Sequence, residues 1–268
     1  MAILRLLELP DSNPAAKLVK TIFKRNRKTH RSSIHQALAH PLNACRALPG
    51  LPEALDPVKG GLKTDDRITG LIHSSKEEAV IFTLQNITER PANTVISSSD
   101  GSHIPGKGVG AAALTLDANS LPLRIRIGEA ENHTPYDAKL AGIQLAIANV
   151  RNTAPGDTQF FWFITDCQNA IQNITKPLKT QPGMSTCIQI RKSLNKLLTI
   201  FPRSKITIIW CLSSSGVQAT IITDEAAKTA TTLHQILTSA PSTAPIQKTI
   251  KANLQAAADQ PPPEAAVT

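Results

Sequence analysis

Three aspartates stand at places where a ligand site can form. Asp100 follows the apolar and serine-rich stretch TVISSS, Asp166 follows FFWFIT, and Asp224 opens the last predicted helix. In open sheets, ligand sites gather at the carboxyl ends of strands. Carboxylate oxygens are the ligands that hard divalent cations prefer, and two such cations about 3.5–4 Å apart can catalyse phosphodiester hydrolysis. Together, the three residues predict a site for Mg²⁺ or Mn²⁺ with catalytic potential.

Each aspartate taken alone also has a purely structural explanation. Asp100 precedes a glycine and can stabilise a turn, while Asp166 can cap a helix. Asp224 can be a first-turn acid that faces the helix dipole. The metal hypothesis therefore depends on whether the fold brings the three carboxylates together.

The pattern of apolar residues predicts the elements that would position them. The predicted strands are NTVISSSD, GVGAAALTLD, LPLRIRIGE, QFFWFITD and SKITIIWCL. The predicted helices among and after them are TPYDAKLAGIQLAIANV, CQNAIQNI, STCIQIRKSLNKLLTIF and TDEAAKTATTLHQIL. Three consecutive strands indicate a meander, and the alternating remainder adds parallel strands with helices on the faces. The prediction is an α/β domain with a mixed sheet.

The flanking regions differ in composition from this domain. Residues 46–72 are rich in proline and glycine and are predicted to be a loop or linker, followed by a short helix capped by Ser74 or Ser75. A basic helix is predicted to begin near Asn13. The predicted division is a basic helical connector and linker over 1–91, a folded domain over 92–236, and an Ala/Pro-rich disordered tail over 237–268.

The composition favours a soluble protein with a polyanionic partner. The chain has 268 residues, a formal net charge of +9 and only 3% aromatic residues, so its core must consist mainly of Ile, Leu, Val and Ala. The charge favours nucleic acid, although many basic proteins bind nothing specific. The N-terminal apolar stretch is short and interrupted by Arg5 and Glu8, which argues against a signal peptide or a membrane span. We expect an intracellular monomer, nuclear or cytoplasmic and not secreted, that uses no membrane.

Other motifs exclude two further kinds of site. The four cysteines lack the spacing of a zinc site, and GKGVGAA lacks that of a phosphate-binding loop, so no small-molecule cofactor is expected. Candidate contacts for nucleic acid are Arg191, Lys192 and Lys196 in the stretch RKSLNK, together with Ser102. A solvated helix face explains the basic stretch equally well.

Four stretches in order resemble one known family. These are SDGS with GVGAAALTL, HTPYDAKLAGIQLAI, ITDCQNAIQNI, and ITIIWCLSSSGVQATIITDEAAKTA. Over residues 92–235 the chain resembles the ribonuclease H domain of type 1, in the form that ends the reverse-transcriptase polyproteins of fungal non-LTR retrotransposons. The basic N-terminal segment is similar to the connector before that domain, so the resemblance implies the C-terminal fragment of a polyprotein.

The resemblance implies a fold and an activity. The fold is a five-stranded mixed sheet, order 3-2-1-4-5, flanked by helices. The activity is cleavage of the RNA strand of an RNA–DNA hybrid with two magnesium ions, for which the family uses three aspartates and a glutamate on the first helix. Asp100, Asp166 and Asp224 match the aspartates.

Two departures from the family pattern bear on activity. Lys139 stands where the family has the glutamate, and Leu212, Ser213 and Ser214 replace its Pro-Gly-His, so the mobile histidine is absent. A lysine about 5 Å from a divalent cation is repelled by several kcal/mol. Lys139 can instead pair with Asp100 or Asp166 and take a metal's place, or extend into solvent.

Three functions remain at this stage. The first is an RNA–DNA hybrid endonuclease with a weakened two-metal site and impaired activity. The second is a non-catalytic module that binds a hybrid or duplex. The third is a functionless relic, because several departures have the form of single transitions in a degenerate copy.

Overall fold

A mixed sheet with helices on both faces is the framework of the structure. The computed structural model describes residues 64–116, 121–176, 183–214 and 216–234. The strands are β1 (Ile68–Leu71), β2 (Thr94–Ile104), β3 (Gly108–Thr115), β4 (Leu123–Gly128), β5 (Phe160–Thr165) and β6 (Lys205–Trp210). The helices are α1 (Lys76–Glu89), α2 (Pro135–Thr153), α3 (Gln168–Thr175), α4 (Met184–Ile200) and α5 (Gln218–Ala230).

The strand order confirms the predicted fold class. The sheet runs β1-β6-β5-β2-β3-β4, so β2 to β6 reproduce the order 3-2-1-4-5 of a ribonuclease H-like fold. Strands β2, β3 and β4 form the antiparallel meander. Strand β5 pairs parallel with β2, and β6 pairs parallel with β5. Parallel pairing places the carboxyl ends of β2, β5 and β6 at the same edge of the sheet.

The expected number of five strands is wrong by one. Strand β1 adds a sixth, parallel to β6 with Ile68 opposite Ile206, inside a stretch that the sequence predicted to be a loop. Only Ile68 of its four residues is buried, and Gly70 interrupts the pattern, so the stretch has little intrinsic strand signal. Pairing with β6 stabilises it, which is a tertiary effect that local composition does not encode.

The predicted helix starts are confirmed for α1 and α2. The backbone N–H of Glu78 donates to Ser75 Oγ at 3.1 Å, which makes Ser75 the cap of α1. Thr134 and Asp137 form a reciprocal capping box at the start of α2, with Pro135 in the first turn. These caps depend on residues close together in the sequence, which explains why they could be predicted from it.

The predicted limits of the last helix are wrong. Helix α5 begins at Gln218 and ends at Ala230, so Asp224 lies in its middle and not at its start. The β-branched run TIIT before Asp224 has weak helix propensity and suggested a later start. Packing of α5 on the sheet overrides that propensity, since Ala226 and Ala227 lie against Ala112 of β3.

Two helices lie on opposite faces of β2. Gly101 lies on the face of β2 that packs against α2. Asp100 and its register partner Ala112 lie on the opposite face, which packs against α5. The larger core lies on the α2 side, where Leu140 and Ile147 pack with Phe161 and Phe163 of β5. Phe161 and Phe163 therefore contribute to the core.

Several predictions lie outside the described residues. These are the basic helix near Asn13 and the tail after residue 236. The division of the chain at residues 91/92 and 236/237 stays a prediction. Within the described part of the chain, no helix is long and apolar enough to cross a membrane.

Candidate functional site

The sheet brings two of the three aspartates side by side. Ser99 of β2 is the register partner of Thr165 of β5, so the next residues, Asp100 and Asp166, lie side by side. Asp166 directly follows β5, but the predicted strand end at Asp100 is wrong, because pairing with β3 continues β2 to Ile104. Asp100 is only 5% exposed, while Asp166 is half-buried. Trp210, the last residue of β6, donates from Nε1 to the backbone carbonyl of Asp166 at 3.1 Å. The middle of β2 and the carboxyl ends of β5 and β6 thus fix the position of this acidic pair.

Close approach of α2 to β2 places Lys139 beside the pair. A Cβ at Gly101 would lie 2.2 Å from the carbonyl carbon of Ala138. A Cβ at Gly142, one turn further along α2, would lie 2.6 Å from the carbonyl oxygen of Asp100. Two glycines therefore let the backbones of strand and helix meet, and Lys139 follows directly after the contact at Ala138.

The ammonium group of Lys139 joins both carboxylates. Its Nζ donates to Asp100 Oδ1 at 3.2 Å and to Asp166 Oδ2 at 2.5 Å, and it also contacts Asp166 Oδ1. The Lys139 side chain is 22% exposed, so the ion pairs are partly shielded from water. An ammonium has three N–H donors, and the pair occupies all of them.

Burial and charge act in opposite directions on these groups. Burial raises the pKa of the Asp100 carboxyl, and the charge of Asp166 raises it further, against the opposing effect of Lys139. For Lys139, burial lowers the pKa, but the charges of Asp100 and Asp166 outweigh this and raise it above the usual 10.5. Lys139 is therefore charged throughout the physiological range.

Asp224 contacts a different lysine. Its Oδ2 accepts from Lys228 Nζ at 2.6 Å, one turn further along α5. The hydrogen bond and charge of Asp224 raise the pKa of Lys228, and the charge of Asp100 adds to this effect. Lys228 is thus near enough to Asp100 to be affected by its charge, while the direct contact of Asp224 is with Lys228.

A divalent cation does not fit the acidic pair as it stands. A metal held by Asp100 and Asp166 would compete with Lys139 for Asp100 Oδ1 and for both oxygens of Asp166, and it would meet a like charge. Among the residues that the structure describes, no group of three or more His, Cys, Asp or Glu side chains could hold a metal ion. The arrangement places one positive charge between two carboxylates, so any metal ion would have to compete with Lys139.

The four candidate contacts for nucleic acid lie in different environments. Lys192 and Lys196 are exposed, one turn apart on α4, and Ser102 is half-buried on β2. Arg191 is only 2% exposed, and its guanidinium donates to the carbonyls of Asn173, at 2.9 Å, and Lys176. A phosphate contact by Arg191 is therefore not supported, because the side chain turns inward and connects α4 to the end of α3.

Comparison with known proteins gave structural similarities only. No protein-family model and no curated protein matches the chain. Ribonuclease H1 from the halophilic archaeon Halobacterium salinarum is 15% identical, with a TM-score of 0.38, over 51% of this chain and 96% of that one. The protease-reverse transcriptase of prototype foamy virus is 18% identical, with a TM-score of 0.40, over 53% of this chain and 21% of that one.

A third similar structure is a ribonuclease H1 in complex with RNA/DNA hybrid, named LC11. It is 14% identical, with a TM-score of 0.35, over 51% of this chain and 98% of that one. Function must therefore be inferred from the side chains of this chain's own site.

Sequence reasoning missed several residues that shape the site. Lys228 could have been found, because Asp and Lys four residues apart on a helix form a recognisable pair. The contacts of Gly101 and Gly142 carried no such signal, since they depend on which helix crosses which strand. His133 is buried against Gly128, and burial lowers its pKa, which agrees with the structural role expected for a stray histidine.

Proposed function

We propose that this chain is a nucleic-acid-binding module on a ribonuclease H-like fold, which binds RNA–DNA hybrid or duplex without hydrolysing it. The observation that carries the proposal is the pairing of Lys139 with both Asp100 and Asp166. The ammonium group supplies internally the positive charge that a bound metal would otherwise supply. The acidic pair is then a stabilised structural feature and not a catalytic centre.

Electrostatics supports the loss of hydrolysis. At an effective dielectric of about 20, a unit charge about 5 Å from a divalent cation is repelled by several kcal/mol. Each 1.36 kcal/mol of lost transition-state stabilisation is about a tenfold loss in rate. Replacement of a carboxylate ligand by an ammonium group therefore lowers metal-dependent cleavage by orders of magnitude.

The distribution of charge supports a polyanionic partner. The net charge is +9, and much of the excess lies in the N-terminal segment with its run KRNRKTHR. No acidic residue occurs between Asp166 and Asp224, although that stretch contains several lysines and arginines. Such segregated positive charge favours a phosphate backbone, which is read mainly through electrostatics.

A weak hybrid endonuclease is the second candidate. Its support is that Asp100, within β2, and Asp166, directly after β5, still lie side by side, and the resemblance implies that they are two of the metal ligands. Under this candidate Mg²⁺ or Mn²⁺ would have to displace Lys139. Descent from a retrotransposon, with or without a selected role, stays a hypothesis that rests on the sequence resemblance.

The test measures binding and cleavage of the same substrate by the full chain. A labelled RNA–DNA hybrid is titrated with protein in EDTA, and cleavage is then followed with Mg²⁺ or Mn²⁺. The native protein, Lys139→Glu and the double variant Lys139→Glu/Asp100→Asn are compared. We expect the native protein to bind the hybrid without metal, in a salt-sensitive way, and not to cleave it. Any recovered cleavage should occur only with Lys139→Glu.

Two results would contradict the proposal. Cleavage by the native protein that Asp100→Asn abolishes would establish the enzyme and overturn the electrostatic reasoning. Failure of the native protein to bind hybrid or duplex at low salt would remove the binding function and leave the relic.

A further inference from the structure

We propose that nucleic acid is bound at a basic surface across α2 and α4, formed by Arg151, Lys192 and Lys196, and not at the acidic pair. This inference rests on the proposed function and names the surface that would perform it. We call these three residues the α2/α4 basic face.

The two helices are registered so that these residues become neighbours. Helix α2 leads into β5 and α4 leads into β6, and because β5 and β6 are parallel, both helices run in the same direction. Gln144 Nε2 on α2 donates to Gln189 Oε1 on α4 at 3.1 Å. Arg151 follows Gln144 by seven residues, and Lys196 follows Gln189 by seven residues. Seven residues are about two helical turns, so Arg151 and Lys196 lie at the same height, two turns beyond this hydrogen bond.

The face carries positive charge that the fold does not neutralise. Arg151, Lys192 and Lys196 are all exposed. Helix α4 contains no acidic residue, and the only one on α2 is Asp137, in the first turn and engaged in the capping box. Within the described ranges, none of the three has an ion-pair partner, in contrast to Lys139 and Lys228.

The face lies away from the acidic pair. Arg151 is twelve residues after Lys139 on the same helix, which corresponds to about 18 Å along the axis. The carboxyl end of α2, where Arg151 lies, precedes the amino end of β5, whereas Asp166 follows its carboxyl end. Binding at this face therefore does not require the acidic pair to accept a phosphate.

The surroundings fit a phosphate backbone better than a lipid surface. Lys192 and Lys196 are one turn apart, about 6 Å along α4, so they present charge in a row. Gln144 and Gln189 lie beside them, and amide groups of this kind contribute phosphate contacts in nucleic-acid complexes. Membrane-surface helices need a broad apolar face, but Ile200, at the end of α4, is the one large apolar side chain exposed on the described parts of these two helices.

The experiment compares two triple variants of the full chain that lose the same charge. Arg151→Gln/Lys192→Gln/Lys196→Gln removes the face, while Lys76→Gln/Lys107→Gln/Arg124→Gln removes three exposed basic residues elsewhere. Binding of a short labelled RNA–DNA hybrid in EDTA is measured between about 50 and 200 mM salt. Each lost phosphate contact should reduce the slope of log affinity against log salt by about 0.7–0.9.

We expect the face variant to bind at least about tenfold more weakly, with the slope reduced by about 2–3, and the control triple to bind like the native protein.

Equal affinity of the two triples would overturn the α2/α4 basic face while leaving the proposed function intact. Loss confined to phosphatidylserine-containing vesicles, with hybrid binding kept, would assign the face to anionic lipid and contradict the proposal. No binding by the native protein would refute the proposed function itself. Unchanged thermal unfolding of both triples excludes misfolding as the cause.

Discussion

Lys139 and Asp100 lie on different elements, and their side chains meet because α2 crosses β2 at Gly101. The Nζ to Oδ1 distance of 3.2 Å depends on a backbone contact that any side chain at Gly101 would obstruct. The internal ion pair and the packing of α2 on β2 are thus connected through one residue without a side chain.

Substitution of Gly101 tests this connection. We expect Gly101→Ala to destabilise the protein by about 1–3 kcal/mol, because the new Cβ would clash with the backbone of Ala138, which cannot yield as a flexible side chain can. Gly156→Ala is the matched control, since a Cβ added at Gly156 would meet no other atom within 4 Å, and it should be close to neutral. Urea unfolding measures the free energy of unfolding of both variants. Equal changes in the two variants would show that stability does not depend on the close contact between α2 and β2.

Removal of the Lys139 charge tests its role as counter-ion. Lys139→Met leaves Asp100 and Asp166 close together without a partner. Breaking a buried ion pair costs about 3–5 kcal/mol, and partial exposure of Lys139 reduces our expectation to about 2 kcal/mol. The control Lys192→Met, on the exposed face of α4, should change stability by less than about 0.5 kcal/mol. Unaltered stability of Lys139→Met would mean that the ion pair contributes nothing.

The raised pKa of Asp100 predicts a pH dependence of stability. The folded state binds the proton of Asp100 more readily than the unfolded state, whose carboxyl titrates near 3.8. The contribution of Asp100 to stability should therefore fall as the pH rises from about 3.8 through the raised folded pKa. Asp100→Asn lacks this effect, so its stability relative to the native protein should improve with pH across that window. If the stability of Asp100→Asn relative to the native protein instead decreases as the pH rises, the charge of Lys139 has a larger effect than burial on the pKa of Asp100.

The ion pairs of Lys139 and Lys228 predict how each lysine affects metal binding. Lys139→Glu should give measurable Mn²⁺ binding by calorimetry, because it replaces a repelling charge with a ligand, whereas the native protein should show none. Adding Lys228→Gln removes an exposed i,i+4 pair worth about 0.3–0.5 kcal/mol, so Mn²⁺ affinity should rise by about twofold. Adding Lys196→Gln instead is the matched control and should have no effect. Equal Mn²⁺ binding by the native protein and Lys139→Glu would refute the blocking role of Lys139.

Sequence reasoning succeeded where the signal was local. Short apolar runs, and alternation in LPLRIRIGE, located β2 to β6, and Ser75 and Thr134 marked the starts of α1 and α2. It failed where packing decides, as for β1, which depends on pairing with β6, and for α5, whose β-branched start is helical only against the sheet. The resemblance, and not periodicity, supplied the strand order.

By itself the sequence determined that a lysine stands at position 139 and that Asp100, Asp166 and Asp224 follow the family's pattern. It left open whether that lysine extends into solvent or replaces a metal, and it assigned Arg191 to the surface. Only the tertiary structure decided that Lys139 joins Asp100 and Asp166, that Arg191 is buried, and that Gln144 of α2 contacts Gln189 of α4. The physical reason is that charges act over distances set by how closely helices and strands pack, and spacing along the chain does not contain those distances.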